Sequence, residues 1–124
     1  MSKKISAVLF VDDEESILTT LRRSFKDLDV VIFTAMSGEE GLAIFKKESI
    51  DLIVADVMMP EMNGIEFLRQ VMELDPNTKR LILTGYAEME SVIEALSEGY
   101  AQQVIRKPLE EEQLKQITDW ISPK

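Results

Sequence analysis

IDLIVADVMMPEMNG, residues 50–64, is the stretch of this sequence that decides its fold. Residues 50–55 are apolar almost without interruption, which is typical of a strand buried on both faces at the centre of a parallel sheet. The strand ends in an acid, Asp56, and a loop follows in which Pro60 fixes one backbone angle. Gly64 permits a close backbone contact that a side chain would block. The stretch therefore predicts a central parallel strand with a carboxylate at its carboxyl end.

The segments on either side repeat an alternation of strand and helix. Apolar runs predict strands at residues 5–11, 30–35, 50–55, 80–84 and 103–106. Ser37 with Glu40 predicts a capping box at a helix start. Gly99 predicts the end of the fourth helix, and Pro76 marks the end of the third. Five helices are predicted from apolar residues that share one helical face, namely Ile17, Leu18, Leu21, Phe25, Leu42, Phe45, Leu68, Val71, Met72, Val92, Ile93, Leu96, Leu114, Ile117 and Ile121.

This alternation predicts the fold class. Strand and helix in strict turn favour right-handed crossovers and a parallel sheet covered by helices on both faces. We therefore expect a doubly wound α/β fold with five parallel strands and five helices. The length of 124 residues fits one domain spanning 1–124, and no linker or repeat interrupts it.

The composition excludes several classes of function. There is no cysteine, which excludes disulfides, zinc–thiolate sites and thiol catalysis, and a reducing cytoplasm is the expected compartment. There is no histidine, which excludes Ser-His and Cys-His catalysis and imidazole ligands. The net charge of -9 argues against broad adhesion to nucleic acid or to an anionic membrane. The apolar run before Asp12 is too short for a signal peptide or a membrane span.

Polar residues follow the predicted strands. Asp12 and Asp13 end the first strand, Asp56 the third and Thr84 the fourth, while Lys107 follows the fifth. In doubly wound folds ligands bind beyond the carboxyl ends of the strands, so these side chains should meet at one rim. Three carboxylates that close repel one another, and Mg²⁺ relieves the repulsion at a site built only from oxygen ligands. The rim therefore predicts a magnesium site with one fixed positive charge.

Each of these residues has an ordinary explanation when taken alone. Asp13 would cap the first helix, Thr84 would be a strand residue, and Lys107 would be a solvated charge. Taken together, the set places three acids, a hydroxyl and an amine on one rim, which chance rarely does. We therefore favour the functional interpretation.

At these residues the sequence resembles the receiver domains of two-component response regulators, the CheY-like family, across essentially its whole length. The resemblance implies a flavodoxin-like version of the predicted fold, with the strands in the order 2-1-3-4-5. The order Asp-x-Met-Met-Pro-x-Met-x-Gly after an apolar strand is rarely seen elsewhere. The stretches that carry the resemblance are Val11-Asp12-Asp13-Glu14, the segment from Asp56 to Gly64, Leu83-Thr84-Gly85 and Lys107-Pro108.

The resemblance implies a phosphoacceptor that promotes its own phosphorylation and dephosphorylation, rather than an enzyme with a separate substrate. Asp56 would be the nucleophile that takes a phosphoryl group from a phosphohistidine on a sensor histidine kinase. Asp13, Asp56 and the backbone carbonyl of Met58 would coordinate Mg²⁺, and Asp12 would hold a metal-bound water.

The resemblance also implies how the phosphoryl group is held and how the signal leaves. Thr84 would hydrogen-bond the phosphoryl group, and Lys107 would pair with it, with the Lys107–Pro108 bond in the cis form. One position departs from the family pattern, because Val104 stands where an aromatic ring usually turns inward on activation.

Two other functions match parts of the pattern. An acid-rich Mg²⁺ site on an α/β sheet also describes aspartyl-phosphate phosphatases, but those carry a second acid two residues after the nucleophile, where this sequence has Met58. The other is an interaction module that has lost phosphorylation. The intact acids, Thr84 and Lys107 argue against that interpretation.

The partners implied by the resemblance are a sensor histidine kinase as phosphodonor and an output domain or downstream protein as recipient of the signal. We expect this domain to bind neither nucleic acid nor membrane directly. The chain is interpreted either as a free-standing receiver or as the front of a longer regulator. Residues 83–87 resemble those of receivers joined to cyclic-dinucleotide phosphodiesterase or transcription-activating domains.

Overall fold

The computed structural model describes residues 4–87 and 89–122. Strands and helices alternate in the order β1 Ala7–Val11, α1 Glu15–Phe25, β2 Val31–Ala35, α2 Gly38–Lys47, β3 Leu52–Asp56, α3 Gly64–Leu74, β4 Lys79–Thr84, α4 Glu90–Ser97, β5 Gln103–Arg106 and α5 Glu111–Ile121. The strands form one parallel sheet in the order β2-β1-β3-β4-β5. The predicted fold class and strand order are confirmed.

The sheet separates two apolar layers. On one face Val8 and Phe10 of β1 pack with α1 and α5, and on the other Leu9 and Val11 pack with α2, α3 and α4. Every residue of β1 and β3 is buried, because helices cover both faces of these central strands. This double burial explains why their sequences are apolar at consecutive positions instead of at every second one.

The strand boundaries shift slightly from the predicted ones. The strand predicted at 50–55 runs from Leu52 to Asp56, since Asp51 lies before it and uses its side chain to accept from backbone groups of the neighbouring strand. Asp51 Oδ2 accepts from the amides of Ser6 and Ala7 at 2.8 and 3.0 Å. Asp51 therefore interrupts the apolar run because its carboxylate joins two segments by hydrogen bonds at the amino end of the sheet.

The predicted helix signals hold with one exception. Gly99 has a φ of 79° just beyond α4, in the left-handed region that favours glycine. Ser37 caps α2 by accepting from the Glu40 amide, but the Glu40 side chain accepts from the amide of Met36 instead of Ser37. The predicted capping box is therefore only half formed, because the returning carboxylate reaches one residue further back.

Gly64 places α3 directly against the strand that carries Asp56. A Cβ atom built on Gly64 would lie 1.8 Å from the backbone oxygen of Asp56, and the Gly64 amide donates to Val57 at 3.0 Å. Any side chain at this position would push the helix off the strand end. The close contact predicted from sequence is present, and it fixes the backbone of Asp56. None of the described helices is long and apolar enough to cross a membrane.

Candidate functional site

The predicted site residues meet at the carboxyl edge of the sheet. Asp56 is the last residue of β3, Thr84 is the last of β4, and Lys107 directly follows β5. Asp12 directly follows β1, and Asp13 comes next. Because β1, β3, β4 and β5 lie side by side in that order, the topology alone carries these groups to one rim.

Three carboxylates form a compact cluster at this rim. One ligand oxygen from each of Asp12, Asp13 and Asp56 lies within 4.8 Å of the others. Asp12 and Asp56 are 1% and 4% exposed, while Asp13 is half-buried. Asp13 does not cap the first helix, because the N-cap position is taken by Glu14, whose side chain makes no capping hydrogen bond. The ordinary explanation for Asp13 is therefore not supported.

The Lys107 ammonium lies among the acids. Its Nζ is 3.1 Å from Asp12 Oδ2, 3.5 Å from Asp56 Oδ2 and 3.1 Å from Glu14 Oε1. The Lys107–Pro108 peptide bond is cis, as predicted. The contact with Glu14 was not predicted, since nothing in the sequence links an exposed acid at a helix start to a lysine so far along the chain.

The pKa values show a site with unbalanced negative charge. Burial and, less strongly, the charge of Asp12 raise the pKa of Asp56 to about 6 against the opposing effect of Lys107. Burial also raises the pKa of Asp12, more than the Glu14 amide and Lys107 lower it. Burial lowers the pKa of Lys107, but the adjacent carboxylates outweigh that effect and raise it overall. One ammonium therefore does not neutralise the cluster.

One buried oxygen of the cluster lacks a hydrogen bond. Asp12 Oδ2 has no hydrogen-bond partner among the described residues, and its contact with Lys107 is an ion pair without hydrogen-bond geometry. A buried carboxylate oxygen left in this state is costly unless a further ligand satisfies it. The cluster offers only oxygen atoms, so the residues fit a hard divalent cation such as Mg²⁺.

A cleft of about 590 Å³ opens above the acids. Met58 and Tyr86, both more than half exposed, lie on its sides. The Met58 amide also approaches Asp56 Oδ1 at 3.4 Å. The other residues that line the cleft are Asp13, Glu14, Asp56, Gly85 and Lys107. The cleft gives a phosphoryl-sized group a way to the Asp56 carboxylate.

Thr84 is fully buried and does not line this cleft. Its Oγ1 accepts from the Tyr86 amide at 3.0 Å, which places the hydroxyl inside the loop that follows β4. A role in holding a phosphoryl group would therefore require the hydroxyl to reorient.

Comparison with known proteins agrees with this geometry. The sequence model of the family described as the response regulator receiver domain matches residues 8–119. The chain belongs to the response regulator receiver family. The receiver is also similar to chemotaxis response regulator CheY4 of Vibrio cholerae, with a TM-score of 0.82 and 29% identity over 96% of this chain and 100% of that one.

Curated relatives of the receiver are transcriptional regulators. The hydrogenase transcriptional regulatory protein HoxA of Cupriavidus necator is 35% identical over 108 residues, which cover 87% of this chain and 22% of that protein. Transcriptional regulatory protein GlrR of Escherichia coli is 29% identical over 119 residues, 96% of this chain and 27% of that protein. The receiver spans about a quarter of the length of these relatives.

Proposed function

We propose that the receiver, residues 1–124, accepts a phosphoryl group on Asp56 in a Mg²⁺-dependent reaction and changes conformation as a result. The observation that carries the proposal is the environment of Asp56, a buried carboxylate at the floor of an open cleft, with a second acid and a single ammonium beside it. Such a site favours the arrival of a cation and a phosphoryl group over remaining empty.

The chemical step is a phosphoryl transfer between two side chains. An Asp56 carboxylate oxygen attacks the phosphorus of a phosphohistidine on a sensor histidine kinase, the new P–O bond forms, and the P–N bond breaks. The leaving imidazole takes up a proton from water. Residues 1–124 contain no histidine, so the donor is a phosphohistidine outside these residues or a small phosphorylated molecule.

The residues around Asp56 have separate roles in this proposal. Asp13, Asp56 and the Met58 carbonyl would hold Mg²⁺, with Asp12 holding one of its water ligands. When bound, Mg²⁺ would neutralise the excess negative charge and polarise a phosphoryl oxygen. Lys107 would pair with the phosphoryl oxygens.

Thr84 would donate its hydroxyl hydrogen bond to the phosphoryl group once that group is present. The Tyr86 amide uses a lone pair of the hydroxyl oxygen, so Thr84 can donate its hydrogen and keep that contact, and its turn toward the cleft would carry the loop after β4 with it. A phosphoryl group shifts the conformational balance only by the difference between its contacts in the two states, and this hydroxyl supplies such a difference. The protein acts as a phosphoacceptor that promotes its own reaction, not as an enzyme with a separate substrate.

The proposed partners follow from the relatives. A sensor histidine kinase would supply the phosphoryl group, and the signal would pass to an output domain or a downstream protein, as expected for a domain about a quarter the length of the regulators it resembles. With a net charge of -9 we expect the domain itself to bind neither nucleic acid nor membrane. Because it contains no cysteine, we propose the reducing cytoplasm as its compartment.

Intact-mass spectrometry after incubation with acetyl phosphate and Mg²⁺ tests the proposal. The wild type should gain the mass of one phosphoryl group, and Asp56→Asn should gain none. An equal gain by Asp56→Asn would place the phosphoryl group elsewhere. No gain by the wild type would favour an interaction module that has lost phosphorylation.

A further inference from the structure

Lys107 has one partner that the proposed chemistry does not use. Of its three carboxylate contacts among the described residues, only the one with Glu14 Oε1, at 3.1 Å, has hydrogen-bond geometry. The Glu14 side chain is 60% exposed, whereas that of Lys107 is 17% exposed. The ammonium is therefore drawn toward the mouth of the cleft as well as toward its floor.

The backbone holds Glu14 in position for this contact. Its amide donates to Asp12 Oδ1 at 2.9 Å, which fixes the turn between β1 and α1. Its side chain makes no capping hydrogen bond with α1, so the carboxylate is available for Lys107. Asp12 thus contacts Lys107 with one oxygen and fixes the Glu14 backbone with the other.

We propose that Glu14 is a positioning residue that restrains Lys107 and opposes entry of the phosphoryl group. This inference rests on the proposed function of Asp56. Glu14 lines the same cleft as Asp56, so its carboxylate competes with an incoming phosphoryl group for the Lys107 ammonium and repels that group's negative charge. Both effects favour the unphosphorylated state, and both end when the Glu14 charge is removed.

Glu15 provides a matched control. It is the neighbouring acid, it is exposed, and it begins α1, but it forms no ion pair with Lys107 among the described residues. If acids at this helix end serve only the helix dipole, Glu14→Gln and Glu15→Gln should behave alike. If Glu14 restrains Lys107, only Glu14→Gln should change the chemistry of the cleft.

The test measures phosphorylation by acetyl phosphate at saturating Mg²⁺ for the wild type and both variants. We expect Glu14→Gln to accept the phosphoryl group about two- to fivefold faster, in the range set by exposed ion pairs, with the gain lying in a lower apparent KM for acetyl phosphate. The gain should shrink at high salt, because the contact is exposed. Glu15→Gln should match the wild type.

Two further measurements separate positioning from a change in folding. Beryllofluoride with Mg²⁺ should bind Glu14→Gln more tightly than the wild type by a similar factor. The side-chain nitrogen resonance of Lys107 should shift in metal-free Glu14→Gln and stay in place in Glu15→Gln.

Rates and resonances that are equal in the two variants would overturn the role of Glu14 while leaving Asp56 as the phosphoacceptor. Slower phosphorylation of Glu14→Gln would overturn it as well. Absence of product in every protein would overturn the proposed function of Asp56 along with it.

Discussion

The sheet carries a buried or half-buried cation at each end, and the two have opposite surroundings. At the amino end of β4, Arg80 is 3% exposed and donates to the backbone carbonyls of Pro76, Thr78, Gly99 and Tyr100. At the carboxyl end, Lys107 lies among carboxylates that it does not neutralise. Arg80 is therefore surrounded by neutral backbone carbonyls, whereas Lys107 is surrounded by an excess of negative charge.

The difference separates a structural site from the proposed functional one. The Arg80 guanidinium joins the segments after α3 and α4 to the sheet, and no carboxylate of the described residues is in hydrogen-bond contact with it. Burial lowers its pKa, against the smaller opposing effect of the Asp75 charge. The Lys107 end retains a buried oxygen to which no described residue donates a hydrogen bond, and an acid with a raised pKa. Satisfied polar groups stabilise the fold, while unsatisfied ones favour a ligand.

The largest expected effect comes from removing the satisfied cation. We expect Arg80→Met to lower the free energy of unfolding by about 3 kcal/mol, because several carbonyl oxygens lose their donor at once. Chemical denaturation measures the loss. Lys79→Met at the exposed neighbouring position is the control and should change stability little. Phosphorylation of folded Arg80→Met should proceed as in the wild type. Loss of phosphorylation in that variant would show that Arg80 also affects the chemistry at Asp56.

The second prediction concerns the charge of Asp56 in metal-free protein. Its folded-state pKa of about 6 lies above the ordinary value of 3.8, so the folded state binds the proton more tightly than the unfolded state. Stability contributed by this proton is present below pH 3.8 and is lost as the pH rises through about 6. We therefore expect Asp56→Asn to be more stable than the wild type by about 3 kcal/mol above that range.

Thermal or urea unfolding across this pH window checks the sign. The stability advantage of Asp56→Asn should grow from pH 4 to pH 6 and then level off, since the wild-type carboxyl group is ionised above its pKa. Added Mg²⁺ should reduce the advantage by stabilising the wild type. A stability advantage that is constant with pH would show that burial does not raise the pKa of Asp56 in the folded state.

The third prediction divides the acids around the metal. We expect Asp13→Asn to weaken Mg²⁺ binding more than Asp12→Asn, by roughly tenfold or about 1.4 kcal/mol, because only Asp13 is proposed as a direct ligand. The Mg²⁺-induced rise in unfolding temperature reports the affinity of each variant. Equal loss of Mg²⁺ affinity in the two variants would show that Asp12 contributes to metal binding as much as Asp13.

The features that sequence predicted are those set by topology. The doubly buried runs of β1 and β3 fixed the centre of the sheet, and the strand order then carried Asp12, Asp56 and Lys107 to one rim. Any parallel arrangement in this order brings those ends together, so no knowledge of side-chain conformations was needed.

The features that sequence missed depend on contacts between distant side chains. Arg80 opens a predicted strand, and nothing in its local pattern indicates that the guanidinium folds back onto four carbonyls. Glu14 and Lys107 are 93 positions apart, and their contact depends on the turn that Asp12 fixes. Such contacts follow from rotamers and packing, which periodicity does not report.

The smallest expected effect is a gradient of conformational response along α4. This helix begins at Glu90, its N-cap residue Met89 makes no side-chain capping hydrogen bond, and its amino end lies on the side of the Thr84 loop. The segment beyond its carboxyl end is held by Arg80 through Gly99 and Tyr100. A phosphoryl group at Asp56 should therefore displace the amino end of α4 more than the carboxyl end.

Val104 shapes how that displacement passes to β5. It is half-buried, pairs in register with Ile82 and packs against the apolar layer of α2, α3 and α4. An aliphatic side chain cannot fill and vacate a ring-sized cavity, so we expect the response to run through displacement of backbone and helix.

Amide spectra with and without beryllofluoride should show shifts that are large at Gly85 and Tyr86, smaller along α4 and at Val104, and smallest at Gly99. Shifts confined to the cleft and α1, with α4 and Val104 unchanged, would show that the signal leaves by another surface. Arg80→Met should flatten the gradient by releasing the carboxyl end of α4, and a gradient unchanged in that variant would show that Arg80 stabilises the fold without directing the motion.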